Sequence, residues 1–143
     1  MSRGETGFLL VRTGPRLVGL ELAQVQAVTP LGVIHPVPSV EPAVRGVTAV
    51  QGKIVPVVHL GALLDGKDCP QAGADLGVMV TVGGRLLCLE VDEAEVLVRD
   101  RALPVPKNAA LPWASGVARH AAGLVPLLDL AALSSRFFEA ESQ

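Results

Sequence analysis

A chain of 143 residues suits one domain, or two small lobes sharing a core, and half of its residues are apolar. A formal net charge of -2 gives no general attraction to nucleic acid or anionic lipid, and three Phe, one Trp and no Tyr leave little for base stacking. The core must therefore come from Val, Leu, Ala and Ile, and short Val/Leu runs broken by Gly and Pro favour an all-β fold.

In chain order, residues 1–6 are polar and the apolar run after them is broken by Arg12, so no secretory signal is expected. GFLLVRTGPRLVGLEL (Gly7 to Leu22) predicts a hairpin turning at Thr13 to Arg16. Leu20 to Val28 then extends a strand or makes a short turn, and a proline-rich joint spans Pro36 to Pro42. VRGVTAVQGKIVPVVHL (Val44 to Leu60) predicts two strands with a turn at Gly52-Lys53, with Pro56 inside the second. HLGALLDG predicts a short helix ended by Gly66, and Asp65 to Asp75 reads as a linker. LGVMVTVGGRLLCLEV (Leu76 to Val91) predicts another hairpin, its Gly83-Gly84 pair supplying the positive φ of a tight turn. Val91 to Val98 again extends a strand or turns, and Pro104 to Pro112 is a second proline-rich joint. From Asp129, an N-cap candidate, a C-terminal helix is expected with Leu130, Leu133 and Phe137 on one stripe. No stretch approaches the ~18 apolar residues of a membrane span. Cys69 and Cys88 are expected as free thiols of a soluble cytoplasmic protein.

The chain repeats itself. With an offset of 69, Gly14 meets Gly83, Arg16 meets Arg85, Leu20 meets Leu89 and Glu21 meets Glu90. With an offset of 70, Gly46 meets Gly116, Val55-Pro56 meets Val125-Pro126 and Leu60 meets Leu130. A duplicated β lobe is the expectation: one subdomain over about 7–64, a linker over about 65–75, a second subdomain over about 76–128 and a C-terminal helix over about 129–140. Proline breaks a central ladder but is tolerated at edges, bulges and bends, so Pro56 and Pro126 predict a recurring edge or bend, with Gly52 and Gly116 as further structural positions.

Chemistry is sparse. His35, His59 and His120 lack ligand spacing, so a metal site would need the fold to gather them. Asp92 and Glu93, with Glu95, offer carboxylates for acid–base work, but their context reads as a solvated turn, and alternation places Glu90 outward. No nucleophile elbow and no phosphate-cradling glycine loop is present. No catalytic residue, metal or cofactor is assigned. Small β lobes with a groove suit protein docking, and a two-lobed interaction module is the reading the residues support.

VRGVTAVQGKIVPVVHL, then GGRLLCLEVDE, then SGVARHAAGLVPLLDL resemble the CheW-like domain of bacterial chemosensory coupling proteins, over nearly the whole chain from Phe8 to about Leu133. The resemblance implies two five-stranded SH3-like barrels related by a pseudo-two-fold axis, with an apolar seam between them. It implies a non-enzymatic adaptor, cytoplasmic and recruited to receptor arrays, without a cofactor. Its implied partners are the tip of a chemoreceptor (a methyl-accepting chemotaxis protein), the regulatory domain of a CheA-type histidine kinase, and other CheW-like domains, with neither nucleic acid nor membrane insertion.

Several residues depart from the family pattern. The usual Asn-Leu-Arg-Gly reads Ala49-Val50-Gln51-Gly52, so Gln51 stands for an arginine and loses its charge and fork geometry. Ala27 stands for an acidic residue, His59 for an aspartate that survives as Asp129, Glu90 for an apolar residue and Cys88 for a small one. The matching positions make Val25, Ala27, Gly46, Gln51 and Cys88 the candidate partner contacts. A divergent adaptor with its kinase contact weakened or lost is one expectation; partners that have changed in step are the other.

Overall fold

Alternating Val and Leu runs, punctuated by glycine, fold as hairpins. The computed structural model describes residues 5–39, 41–71, 73–104, 113–120 and 123–132. Its strands are β1 (Glu5–Thr13), β2 (Arg16–Glu21), β3 (Val25–Pro30), β4 (Val44–Val50), β5 (Lys53–His59), β6 (Leu76–Val82), β7 (Arg85–Val91), β8 (Glu93–Arg101), β9 (Ala114–His120) and β10 (Gly123–Leu128). A 3-10 turn at Leu22–Gln24 leads into β3, and a short helix, α1 (Leu60–Asp65), follows β5. Gly83 and Gly84 both take positive φ (58° and 78°), as the hairpin between β6 and β7 requires. The turn between β4 and β5 falls one residue earlier than expected, on Gln51 and Gly52 (φ 51° and 79°). Gly66 closes α1 in the left-handed conformation. At the other end of the chain, residues 130–132 are helical and residues 133–140 lie outside the described residues.

The strands form two five-stranded sheets, in the orders β8-β1-β2-β10-β9 and β3-β6-β7-β5-β4. Translated by the repeat, the two orders are the same. They do not, however, divide the chain at the linker. Each sheet takes its first hairpin from one half and its other three strands from the other half. The expected subdomains over 7–64 and 76–128 are thus corrected to two interleaved sheets. The reason lies in two parallel pairings, β5 with β7 (Val57↔Cys88) and β10 with β2 (Leu127↔Gly19), which join remote segments.

Each sheet closes on itself through one residue beyond its edge strand. His35, after β3, exchanges two backbone hydrogen bonds with Val47 of β4, at 2.8 and 2.9 Å. Leu103, after β8, does the same with Val117 of β9, both at 2.8 Å. The repeated glycines sit beside these closures. A Cβ on Gly46 would land on the His35 carbonyl oxygen, and one on Gly116 would lie 2.7 Å from the Leu103 carbonyl oxygen.

These closures also explain the repeated prolines, though not as edges: β5 and β10 are interior strands. Val47 faces Pro56 and Val117 faces Pro126. Because Val47 and Val117 spend their backbone groups on the closures, both are non-hydrogen-bonded pairs, in which the backbone groups of the two residues point away from each other. The proline nitrogen therefore points to the far side, where pairing starts only at Val57 or Leu127. No bond of the β4–β5 or β9–β10 ladder is lost.

The largest apolar cluster lies between the sheets. It joins Val11, Val18, Leu20 and Leu128 of the first sheet, with Trp113 just ahead of β9, to Val58, Val78, Val80, Leu87 and Leu89 of the second, with Leu60 and Leu63 of α1. A second cluster (Val55, Val57, Met79, Cys88) fills one barrel, and a third (Phe8, Ala118, Leu127) fills the other. β6 and β7 thus bury both faces. At about 25 cal/mol per Å² of apolar area, this seam is where most of the stabilising burial resides. No described helix is long and apolar enough to cross a membrane.

Candidate functional site

Beside the β4–β5 turn, on the β3–β6–β7 barrel, a groove of about 510 Å³ opens. Ala27 of β3 and Gln51 of the turn both line it, with Pro30, Lys53, Met79 and Leu86 among the others. Lys53 is the one charged residue among the described residues of its wall. All the walls come from one barrel. Gln51 reaches its place through a backbone of positive φ that costs a non-glycine residue roughly 1–2 kcal/mol, so the turn holds this side chain against its own conformational preference.

The other candidate contacts lie elsewhere. Val25 opens β3 and packs, half-buried, against the seam. Gly46 is buried under His35, so its role is close backbone approach, which corrects its assignment as a contact. Cys88 is fully buried within the barrel, and this too is a correction. Burial, reinforced by Glu90, pushes its thiol up to about 12. Cys69, the second free thiol, donates to the Ala43 carbonyl at 3.0 Å, and burial raises it as well.

The outward placement of Glu90 is likewise corrected. Its side chain is 0% exposed and pairs with the Arg45 guanidinium, Nε to Oε1 at 2.5 Å. Its Oε2 accepts the Ala74 backbone N–H at 2.9 Å. The face opposite Leu89 is the interior of a barrel rather than solvent. One guanidinium nitrogen of Arg45, Nη2, is buried without a hydrogen-bond partner among the described residues.

The acidic segment after β7 is tied into the first hairpin. Asp92 Oδ2 accepts the Gly14 N–H at 2.6 Å, and Arg12 lies between Glu93 (3.6 Å) and Glu95 (3.4 Å). The histidines are spread out: His35 is exposed at a barrel closure, His59 is half-buried ahead of α1, and His120 pairs with Gly123 in the β9–β10 hairpin. No cluster able to hold a metal occurs among the described residues. Sequence reasoning missed two exposed aliphatic residues at repeat-equivalent places, Ile54 on β5 (77% exposed) and Leu124 on β10 (57%). The 70-residue offset that pairs Pro56 with Pro126 also pairs these two, and was the available signal.

Over residues 7–138 the sequence matches the family model of the CheW-like domain. The chain belongs to the CheW-like domain family. A solved structure similar to this CheW-like chain is that of the scaffolding protein TtCheW from Thermoanaerobacter tengcongensis, with a TM-score of 0.78 and 18% identity over 90% of this chain and 91% of that one. At that identity the likeness concerns the fold, two SH3-like subdomains related by a pseudo-two-fold axis. None of the curated proteins matches the sequence. For the CheW-like fold, the interleaved repeat supplies the two barrels, and the groove beside Gln51 is the concave surface on which two of the five candidate contacts meet.

Proposed function

We propose that this CheW-like chain is a non-enzymatic adaptor of a bacterial chemosensory assembly, working in the cytoplasm and recruited to receptor arrays. In this reading it links the tip of a chemoreceptor to the regulatory domain of a CheA-type histidine kinase and needs no cofactor. Membership of the family over residues 7–138 carries the proposal. The engaged state of Asp92, Glu93 and Glu95 supports it, since these carboxylates serve ion pairs and a turn. Ile54 and Leu124, exposed on equivalent strands, are proposed contacts to other CheW-like domains.

The test is reconstitution with the cognate receptor fragment and kinase. Co-sedimentation with both, and kinase stimulation that depends on the chain, are expected. Failure to bind the receptor fragment would refute the adaptor role, whereas receptor binding without kinase binding would favour a chain whose kinase contact is lost. Ile54→Glu and Leu124→Glu should weaken assembly while leaving the melting temperature near that of the parent, because neither side chain is buried.

One observation favours a specialised variant. Ala27 and Gln51, which stand where the family resemblance puts an acid and an arginine, line one groove and are both uncharged. Removing one partner of a buried charge pair at an interface costs roughly 2–5 kcal/mol, much of it from leaving the other charge unpaired, so a kinase that still presents the matching charges binds this chain more weakly. Under this variant the double substitution Ala27→Glu/Gln51→Arg raises kinase binding at least tenfold. Unchanged or weaker binding would favour partners that have changed in step.

A further inference from the structure

In both repeats a residue at the end of the fifth strand (His59, the last of β5) or directly after it (Asp129, following β10) caps the helix behind it. Asp129 does so with a carboxylate: Oδ1 accepts the Ala132 N–H at 3.1 Å. His59 does so with a ring nitrogen: Nδ1 accepts the Ala62 N–H at 3.0 Å. The backbone is the same at both, with His59 N–H bonded to the Ala43 carbonyl and Asp129 N–H to the Trp113 carbonyl. The chemistry is not the same. A carboxylate accepts through two oxygens, whereas imidazole accepts at Nδ1 only when that atom carries no proton.

The helix that His59 caps joins the two barrels. α1 buries Leu60, Ala62 and Leu63 in the seam, and its last residue, Asp65, forms an ion pair with Arg16 of β2 in the opposite barrel. Gly61 packs between the His59 ring and Thr13 of β1, where a Cβ would lie 2.7 Å from the threonine hydroxyl. We propose that His59 is an acid-released latch: neutral, it holds the first turn of α1 in the inter-barrel seam, and protonated at Nδ1 it lets that turn go.

The groups around the ring act in both directions. Glu90 lies across the register on β7, Arg45 comes from β4 and Asp92 follows β7, while the Cys69 thiol of the linker lies against the His59 backbone rather than the ring. Burial holds the imidazole below its ordinary value, Glu90 and Asp92 oppose this, and Arg45 reinforces it. With a folded value below the unfolded one, the stability His59 contributes is complete above its unfolded value of 6.5 and is lost as pH falls below it toward the lowered folded value. An imidazolium would also compete with Arg45 for Glu90, whose second oxygen anchors the linker at Ala74.

Amide hydrogen exchange and the imidazole resonances, followed by NMR on the full chain from pH 8 to 5.5, test this. The Ala62 protection factor should fall by about fivefold, the scale of a lost N-cap, in step with titration of the His59 ring. His59→Asn, a cap without a titrating proton, should keep Ala62 protected throughout and remove the corresponding acid drop in melting temperature. Should that variant not fold, the parent titration alone decides. A parent Ala62 amide whose protection ignores the His59 titration, or a His59→Asn chain that loses it as the parent does, overturns the latch.

Discussion

At the scale of single residues, the buried ion pair is the costliest feature to disturb. Glu90→Ala leaves the Arg45 guanidinium, whose side chain is only 17% exposed, without its carboxylate. Breaking a buried pair from one side costs about 3–5 kcal/mol, whereas replacing both partners by apolar residues of similar volume is often neutral. Urea denaturation should therefore show Glu90→Ala far less stable than the double variant Arg45→Met/Glu90→Leu. The thiols give a second expectation. In the native protein a thiol reagent should modify Cys69 slowly and Cys88 not at all, with both reacting in denaturant, since thiolate and access are both required. Glu90 also marks where the sequence misleads. Period-2 alternation correctly separated it from Leu89 and Val91, but equating the other face with solvent assumes a strand with one wet side. β7 has none over most of its length, because one face meets the seam and the other the barrel interior.

At the scale of elements, local signals were legible and remote ones were not. Gly83-Gly84 marked its hairpin, and Gly66 the end of α1, because positive φ is written in the residue itself. Pro56 was a correct sign of something unusual in β5, but its explanation needs His35, far away on the other side of β4. The same closures make the repeated glycines sensitive. Gly46→Ala and Gly116→Ala each drive a methyl group into a carbonyl oxygen of the main chain, which has no rotamer by which to yield. Each should lower stability by about 1–3 kcal/mol in thermal or urea melts, the range of overpacking. Pro56→Ala should change it by less than about 1 kcal/mol, since only unfolded-chain entropy differs. The groove was legible only in part. Ala27 and Gln51 came from the family resemblance, while Lys53 joins them because the closed sheet brings β3 and the β4–β5 turn to one groove, a fact of tertiary structure.

At the scale of the whole molecule, the duplication could be read from matching residues, and the exchange of strands between the halves could not, because no local preference encodes which hairpin lies beside which. Cutting the chain in the linker should therefore leave neither 1–64 nor 76–143 with a complete barrel. Circular dichroism melts of each fragment alone are expected to lack a cooperative transition, and an equimolar mixture to regain one; a fragment that melts cooperatively alone would mean that a half completes its own sheet. Interleaving has a bearing on ancestry too. Two identical half-length polypeptides, each lending its last three strands to the other, would assemble this same object as a symmetric homodimer. Fusing two such halves would demand no new architecture, only a tether between them. Joined in one chain, the two copies need not stay identical, and here they do not: one carries Asp129 where the other carries His59.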